Sequence, residues 1–145
     1  MNKLETIINQ RIIILDGAMG TMLQSYQLSE EDFRGKRFAG IQGVMKGNSD
    51  MLNLTRPDVV SDIHRKYLQA GADLITTNTF SAQRISQADY HLEEYCREIN
   101  LEGARLARKV ADEFSSSDKP RFVCGSVGPT NKTCSMSPDV SNPAL

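Results

Sequence analysis

The chain has 145 residues, 39% of them hydrophobic and 24% charged, with a formal net charge of −1. That length and balance suggest one soluble globular domain. They carry no electrostatic footprint for nucleic acid or an acidic membrane surface, and no run approaches the roughly 20 apolar residues of a membrane span. The first ten residues lack the apolar core of a signal peptide, so a cytoplasmic location is expected. Three cysteines at wide spacing argue against a disulfide framework.

Lys3 to Gln10 reads as a short helix with Leu4, Ile7 and Ile8 on one face. That face is expected to plug the floor beneath the stretch that follows. Ile12-Ile13-Ile14-Leu15 is a short apolar run ended by Asp16-Gly17-Ala18-Met19-Gly20-Thr21. Such a run predicts a strand buried on both faces. Buried parallel strands place their chemistry at the carboxyl end, where Asp16 stands. Gly17 and Gly20 allow a sharp bend and bring backbone N–H groups near a ligand. The same residues also fit an ordinary Asp-Gly turn.

Met22 to Leu54 reads as a long irregular excursion containing Gly35, Gly40, Gly43 and Gly47. Loops of that length are functional or disordered. Gly47-Asn48-Ser49-Asp50 is a turn cluster, and Leu52-Asn53-Leu54 returns to the core. A helix is expected from Thr55-Arg56-Pro57-Asp58, with Thr55 as cap, Pro57 in the first turn and Asp58 complementing the dipole. Val59, Val60, Ile63, Tyr67 and Leu68 form its stripe, and Gly71 its left-handed end. His64 lies beside the stripe and reads as a packing or surface residue.

Leu74 to Thr77 is the second strand, running into Asn78-Thr79-Phe80. A helical region then starts near Ser81, is re-aimed near Tyr90-His91, and continues from Leu92 to Phe114. Its stripe is Leu92, Tyr95, Ile99, Leu106, Val110 and Phe114, with Gly103 and Ala104 permitting close approach to a sheet. Phe122 to Gly125 is the third strand, followed by Ser126-Val127-Gly128-Pro129-Thr130. Strand and helix alternate, which predicts a parallel sheet. Three strand ends bearing polar groups point to one shared site. Cys124 reads as a small core residue and Cys96 as a helix residue near the sheet. Cys124 and Cys134 are spaced too widely for a zinc knuckle.

Leu15-Asp16-Gly17-Ala18-Met19-Gly20-Thr21 resembles the opening of the homocysteine-binding domain of cobalamin-dependent methionine synthases. Gly47 to Asp50, Leu54 to Asp58, Gly71-Ala72-Asp73, Thr77 to Phe80, Ala88-Asp89-Tyr90, Gly128 to Asn131 and Ser137 to Val140 continue the likeness in order. The resemblance implies an α/β fold, a (β/α)₈ TIM barrel present as about its first three strands and two helices. Residues 1–145 would then be the N-terminal portion of that barrel domain. It also implies methylation of homocysteine sulfur to give methionine. The donor would be methylcobalamin, recharged by 5-methyltetrahydrofolate on further domains of the parent. The family's zinc is held by three cysteine thiolates from later strands, including a Gly-Gly-Cys-Cys segment that this sequence lacks. No zinc or cobalamin is therefore expected on this chain alone, and the chain alone is expected to be inactive. Position 76 departs from the family pattern, which often has an acid there, and is Thr76.

The implied chemistry assigns substrate-binding roles. Zinc lets the homocysteine thiol bind as thiolate at neutral pH, and its amino acid end must be held so that sulfur faces the methyl donor. Asp16 is placed to accept from the ammonium, and the amides of Gly17, Ala18, Met19, Gly20 and Thr21 to receive the carboxylate. Asn78, Thr79 and Ser126 add hydrogen bonds, although Asn78 also fits a plain strand-end cap. Met19 and Met22 line a pocket or act as filler. Other readings stay open. They are a cobalamin-independent homocysteine methyltransferase fragment using betaine or S-methylmethionine, a non-catalytic amino-acid-binding module, and a truncated remnant. The extended Asp-Gly-Ala-Met-Gly-Thr form favours the cobalamin type.

Overall fold

A computed structural model of the chain describes residues 3–130, 132 and 141–142. The expectations for Asn131, Cys134 and the Ser137 to Val140 motif fall outside them. Helix α1 (Lys3–Ile8) forms where expected, but none of its residues is buried, so it plugs no floor. The next stretch is extended rather than a full strand. Leu15 makes a single parallel bridge to Leu74, and Ile12, Ile14 and Leu15 are 88%, 56% and 55% exposed. The expectation of a strand buried on both faces is thus corrected: pairing exists on one side, and only Ile13 of the run is partly buried.

The turn expected at Asp16 to Thr21 is shorter than the sequence suggested. Helix α2 (Met19–Gln24) begins within it, and α3 (Glu30–Arg34), a 3₁₀ turn (Ser49–Met51) and α4 (Leu52–Thr55) occupy the supposedly irregular excursion. Ser29 and Asp32 form a capping box, each side chain bonding the other's backbone N–H, which explains why α3 starts there. Glu30 then accepts from the amides of Met45 (2.9 Å) and Lys46 (2.7 Å), folding the following loop back. The larger core cluster gathers on this excursion, through Leu23, Leu28, Phe33, Phe38, Met45, Met51 and Leu52 packed on Val59, Val60 and Ile63. Fully burying each such side chain contributes about 1.5–3 kcal/mol.

Helix α5 (Pro57–Gln69) has Pro57 in its first turn, as expected, but Thr55 does not cap it. Thr55 ends α4, and its hydroxyl is directed back at the Met51 carbonyl. Val59, Val60, Ile63 and Leu68 are buried as the stripe requires, and Gly71 takes φ +110° at the end. His64 is wholly buried, with neither ring nitrogen paired, and burial pulls its pKa down to about 4. Strand β1 (Leu74–Thr76) pairs in parallel with β2 (Phe122–Cys124), Ile75 opposite Val123. Between them run α6 (Arg84–Gln87), two 3₁₀ turns and α7 (Cys96–Phe114). His91 breaks the helical run with φ +56°, where the sequence suggested re-aiming.

Ile99, Gly103, Ala107, Val110 and Ala111 form the buried side of α7. Gly103 does permit close approach: a Cβ there would lie 2.7 Å from both Asn53 Nδ2 and Thr79 Cγ2. Ala104, by contrast, is exposed. Cys96 is buried at the start of α7, whereas Cys124 is exposed and is no core residue. Leu68, Ile75, Ala107, Val110 and Ala111 form a second core between these two long helices and the sheet.

The extended segment before α2 is held by Asp73. Arg11 donates to both its oxygens, at 2.7 and 2.9 Å, and Ile14 N–H donates to Oδ2 at 3.1 Å. The Arg11 bond, reinforced by the Ile14 amide, draws the Asp73 carboxyl down to about 2. A depressed folded pKa stabilises above the unfolded value and is lost as pH falls through the folded one. Asp73→Asn is therefore expected to cost about 2 kcal/mol at neutral pH. That difference should shrink between pH about 4 and about 2, read from denaturant midpoints of both proteins. A constant difference across that range would show that the Asp73 charge is not what holds the segment.

Candidate functional site

The paired segments stop together and expose a set of polar groups. At the first end, Asp16 turns its carboxylate onto Thr76, accepting from the amide at 2.8 Å and the hydroxyl at 3.1 Å. Burial raises the Asp16 pKa, while the Thr76 bonds oppose the rise. A neutral donor at position 76 thus suits Asp16, where an acid would repel it.

At the ends of β1 and β2 three bonds close a ring. Ser126 N–H donates to Thr77 Oγ1 at 2.9 Å, the Thr77 and Thr79 hydroxyls lie 2.6 Å apart, and Thr79 Oγ1 donates to the Ser126 carbonyl at 2.9 Å. A hydroxyl has one proton to give, so Thr77 must donate to Thr79. Gly128 closes the next contact, its N–H donating to the Phe80 carbonyl at 2.8 Å. A Cβ at Gly128 would sit 2.6 Å from that carbonyl and 2.7 Å from the Phe80 ring.

A third group comes from the turn at Asn48 to Asn53. Asn48, Asp50, Asn53, Asn78 and Gln87 are all at least nine-tenths buried. Asn78 Nδ2 donates to the Ser49 carbonyl at 2.7 Å, and Asn53 Nδ2 to the Asn78 carbonyl at 2.7 Å. The Asn48 and Gln87 amides pair with each other, and Gln87 also donates to the Ser81 carbonyl. Asp50 accepts from the Ser81 amide through both oxygens at 3.3 Å, and burial pushes its pKa up to about 6. The sequence showed Gly47 to Asp50 as a turn and as part of the family resemblance, without assigning its side chains a place at the site.

These elements enclose a cavity of about 590 Å³. Of the residues expected to bind substrate, Gly17, Ala18, Met19, Gly20, Asn78 and Ser126 line it. Asp16, Thr21 and Thr79 stand outside the lining: Asp16 against Thr76, Thr21 exposed on α2, and Thr79 buried in the strand-end ring. Ser49, Asp50, Thr76, Phe80, Ser86, Asp89 and Tyr90, not foreseen as ligand contacts, also line it. Among the described residues the lining holds the acids Asp50 and Asp89 and no lysine or arginine. Among the described residues no group of three or more His, Cys, Asp or Glu is gathered for a metal.

A sequence profile described as homocysteine S-methyltransferase matches residues 13–145. The chain belongs to this family. Solved structures similar to it include the Escherichia coli homocysteine methyltransferase MmuM, in metallated and oxidised forms. Both are 25% identical to the chain, with TM-scores of 0.67 and 0.68. The alignments cover 88% and 89% of this chain but 42% and 41% of those proteins, so the chain spans about two-fifths of their length. The α/β fold with its small parallel sheet thus corresponds to part of a TIM-barrel-type methyltransferase.

Within the family fold, the hydroxyl ring fixes the strand ends before any ligand arrives. Thr77→Val removes the acceptor of the half-buried Ser126 amide and is expected to cost about 1 kcal/mol. Thr77→Ser keeps the hydroxyl and should cost under half as much. Chemical denaturation of both variants tests this, and a loss in Thr77→Ser with none in Thr77→Val would show that methyl packing, not the ring, is what matters.

Proposed function

We propose that the chain is the N-terminal portion of a homocysteine-binding barrel in a parent enzyme that methylates homocysteine to methionine. The donor in this reading is methylcobalamin, recharged by 5-methyltetrahydrofolate on further domains, as the extended Asp16 to Thr21 motif favours. The observation that carries the reading is the family match coinciding with a cavity at the strand ends that the 17–20 turn, Asn78 and Ser126 line together. The exposed Ile12, Ile14, Leu15 and Val127, the last at 90%, support a barrel completed by further strands.

In this reading the chain's residues bind and orient the amino acid end of homocysteine. The backbone of Gly17 to Thr21 receives the carboxylate, since the first-turn amides of α2 have no acceptor within the helix. Asp16 takes the ammonium by exchanging part of its Thr76 contact. Both Asn78 amide protons are spent, on the Ser49 carbonyl and on Asn53 Oδ1 at 3.3 Å, so Asn78 offers the substrate its Oδ1. Ser126 adds its hydroxyl, and Thr79 serves by holding Ser126. Zinc in the parent would lower the thiol pKa. In this reading the zinc ligands and the cobalamin chemistry belong to other parts of the parent, since the sequence lacks the Gly-Gly-Cys-Cys segment, and this portion would act only together with them.

Two measurements on the natural, full-length protein test the reading. Intact mass should exceed 16.1 kDa, the mass of this chain. Calorimetry should show L-homocysteine binding, weakened at least tenfold by Asp16→Asn, alongside methionine formation from methylcobalamin. Methionine formation from betaine or S-methylmethionine instead would assign the cobalamin-independent class. Absence of homocysteine binding would overturn the reading.

A further inference from the structure

Asp50 is the one ionisable side chain in the buried network beneath the cavity. Its neighbours Asn48, Asn53, Asn78 and Gln87 are neutral amides that satisfy one another. Burying an amide that is fully bonded costs little, whereas burying a carboxylate with no cation beside it is expensive. Asp50 is 4% exposed and makes no salt bridge among the described residues. The network therefore carries a cost at this position that an asparagine would avoid, unless an acid does something an amide cannot.

The local geometry supplies that reason. The backbone N–H of Ser81 meets both carboxylate oxygens at 3.3 Å, and the amides of Phe80 and of Asp50 itself are also directed at the group. A carboxylate presents acceptors on both sides, while asparagine presents one acceptor and one donor. At this spot the asparagine NH₂ would face backbone N–H groups. An all-acceptor side chain is thus required to hold the Phe80–Ser81 corner against the 3₁₀ turn. That corner carries Phe80, which lines the cavity and rests on Gly128, and it follows directly from Asn78.

We propose that Asp50 is a positioning residue for the substrate cavity. Its carboxylate gathers the amides of the 80–81 corner and so sets where Phe80 and Asn78 meet the ligand. The assignment rests on the homocysteine reading for the ligand's identity, but the Asp50–Ser81 tie is independent of it.

The test compares wild type, Asp50→Asn and Asp50→Ala in the full-length protein. The first readout needs no ligand: hydrogen exchange of the Ser81 amide should quicken at least tenfold in both variants. The second is kinetic: KM for homocysteine should rise about tenfold or more in both, with kcat within about threefold of wild type. Asp50→Asn should behave like Asp50→Ala, because it restores shape but not the second acceptor. Full rescue by asparagine, or unchanged Ser81 exchange, would overturn the proposal. So would quickened exchange with unchanged KM. If wild type binds no homocysteine while Ser81 exchange still responds to both variants, the functional reading fails and the positioning role of Asp50 stands for whatever ligand the cavity takes.

Discussion

The arrangement depends on two carboxylates that clamp one short stretch of parallel pairing from opposite sides. Asp73 reaches across to the Ile14 amide, and Asp16 reaches back to the Thr76 amide. Between them lie only a few backbone bonds, from Asp73 and Leu74 to the Ile14 carbonyl and from Asp16 to the Leu74 carbonyl. So short a ladder, with Ile12, Ile14 and Leu15 exposed, has little burial to hold it. Charge-assisted bonds are roughly twice as strong as neutral ones, and here they bracket the ladder. The two acids differ in their surroundings. Asp73 has Arg11 beside it and is held ionised, while Asp16 has only Thr76 and is pushed the other way by burial. The clamp is therefore fixed at its base and softer at the cavity end.

The position of α7 links packing to the site. Gly103 lies against Asn53 and Thr79, with no room for a Cβ. Any larger residue would push the helix away from both the amide network and the hydroxyl ring. The ring and the network meet at the 77–79 segment, which contributes Thr77 and Thr79 to one and Asn78 to the other. The Thr79 N–H donates to the Thr77 carbonyl at 2.9 Å, and this tight turn brings the two hydroxyls together while Asn78 at its apex joins the other cluster, so three consecutive residues serve two separate polar clusters. Core packing and site geometry are thus one constraint at this point.

Much of this was legible in the sequence. The alternation of apolar runs with amphipathic helices gave the parallel pairing, and the stripes of α5 and α7 came from helical spacing that burial confirms at Val60, Ile63, Ile99 and Val110. Gly71 and the break near His91 were readable because left-handed backbone leaves a mark. The excursion was not readable as structure. Its helices are too short for periodicity to register, and α3 is specified by a Ser29–Asp32 cap rather than by a stripe. Burial of the Ile12 to Leu15 run was misjudged because an apolar run records what a strand is suited to, and not what covers it. Of the residues expected at the site, Gly17, Ala18, Met19, Gly20, Asn78 and Ser126 line the cavity, while Asp16, Thr21 and Thr79 do not. Asp50 and Gln87 were not foreseen, since their roles depend on contacts with residues some thirty to forty positions distant.

The way donors and acceptors are spent narrows what the cavity suits. The hydroxyls of Thr77 and Thr79 and the amide protons of Asn53 and Asn78 are all used internally. Among the described residues the lining of the cavity includes Asn78 and the acids Asp50 and Asp89 and no lysine or arginine. The backbone of the 17–20 turn lines the same cavity. A purely anionic ligand would meet carboxylates with no cation to offset them. A purely cationic one would leave the turn amides unused. In the proposed reading a zwitterion sets its ammonium toward the acids and its carboxylate toward the turn backbone, and an α-amino acid has that form whatever its side chain.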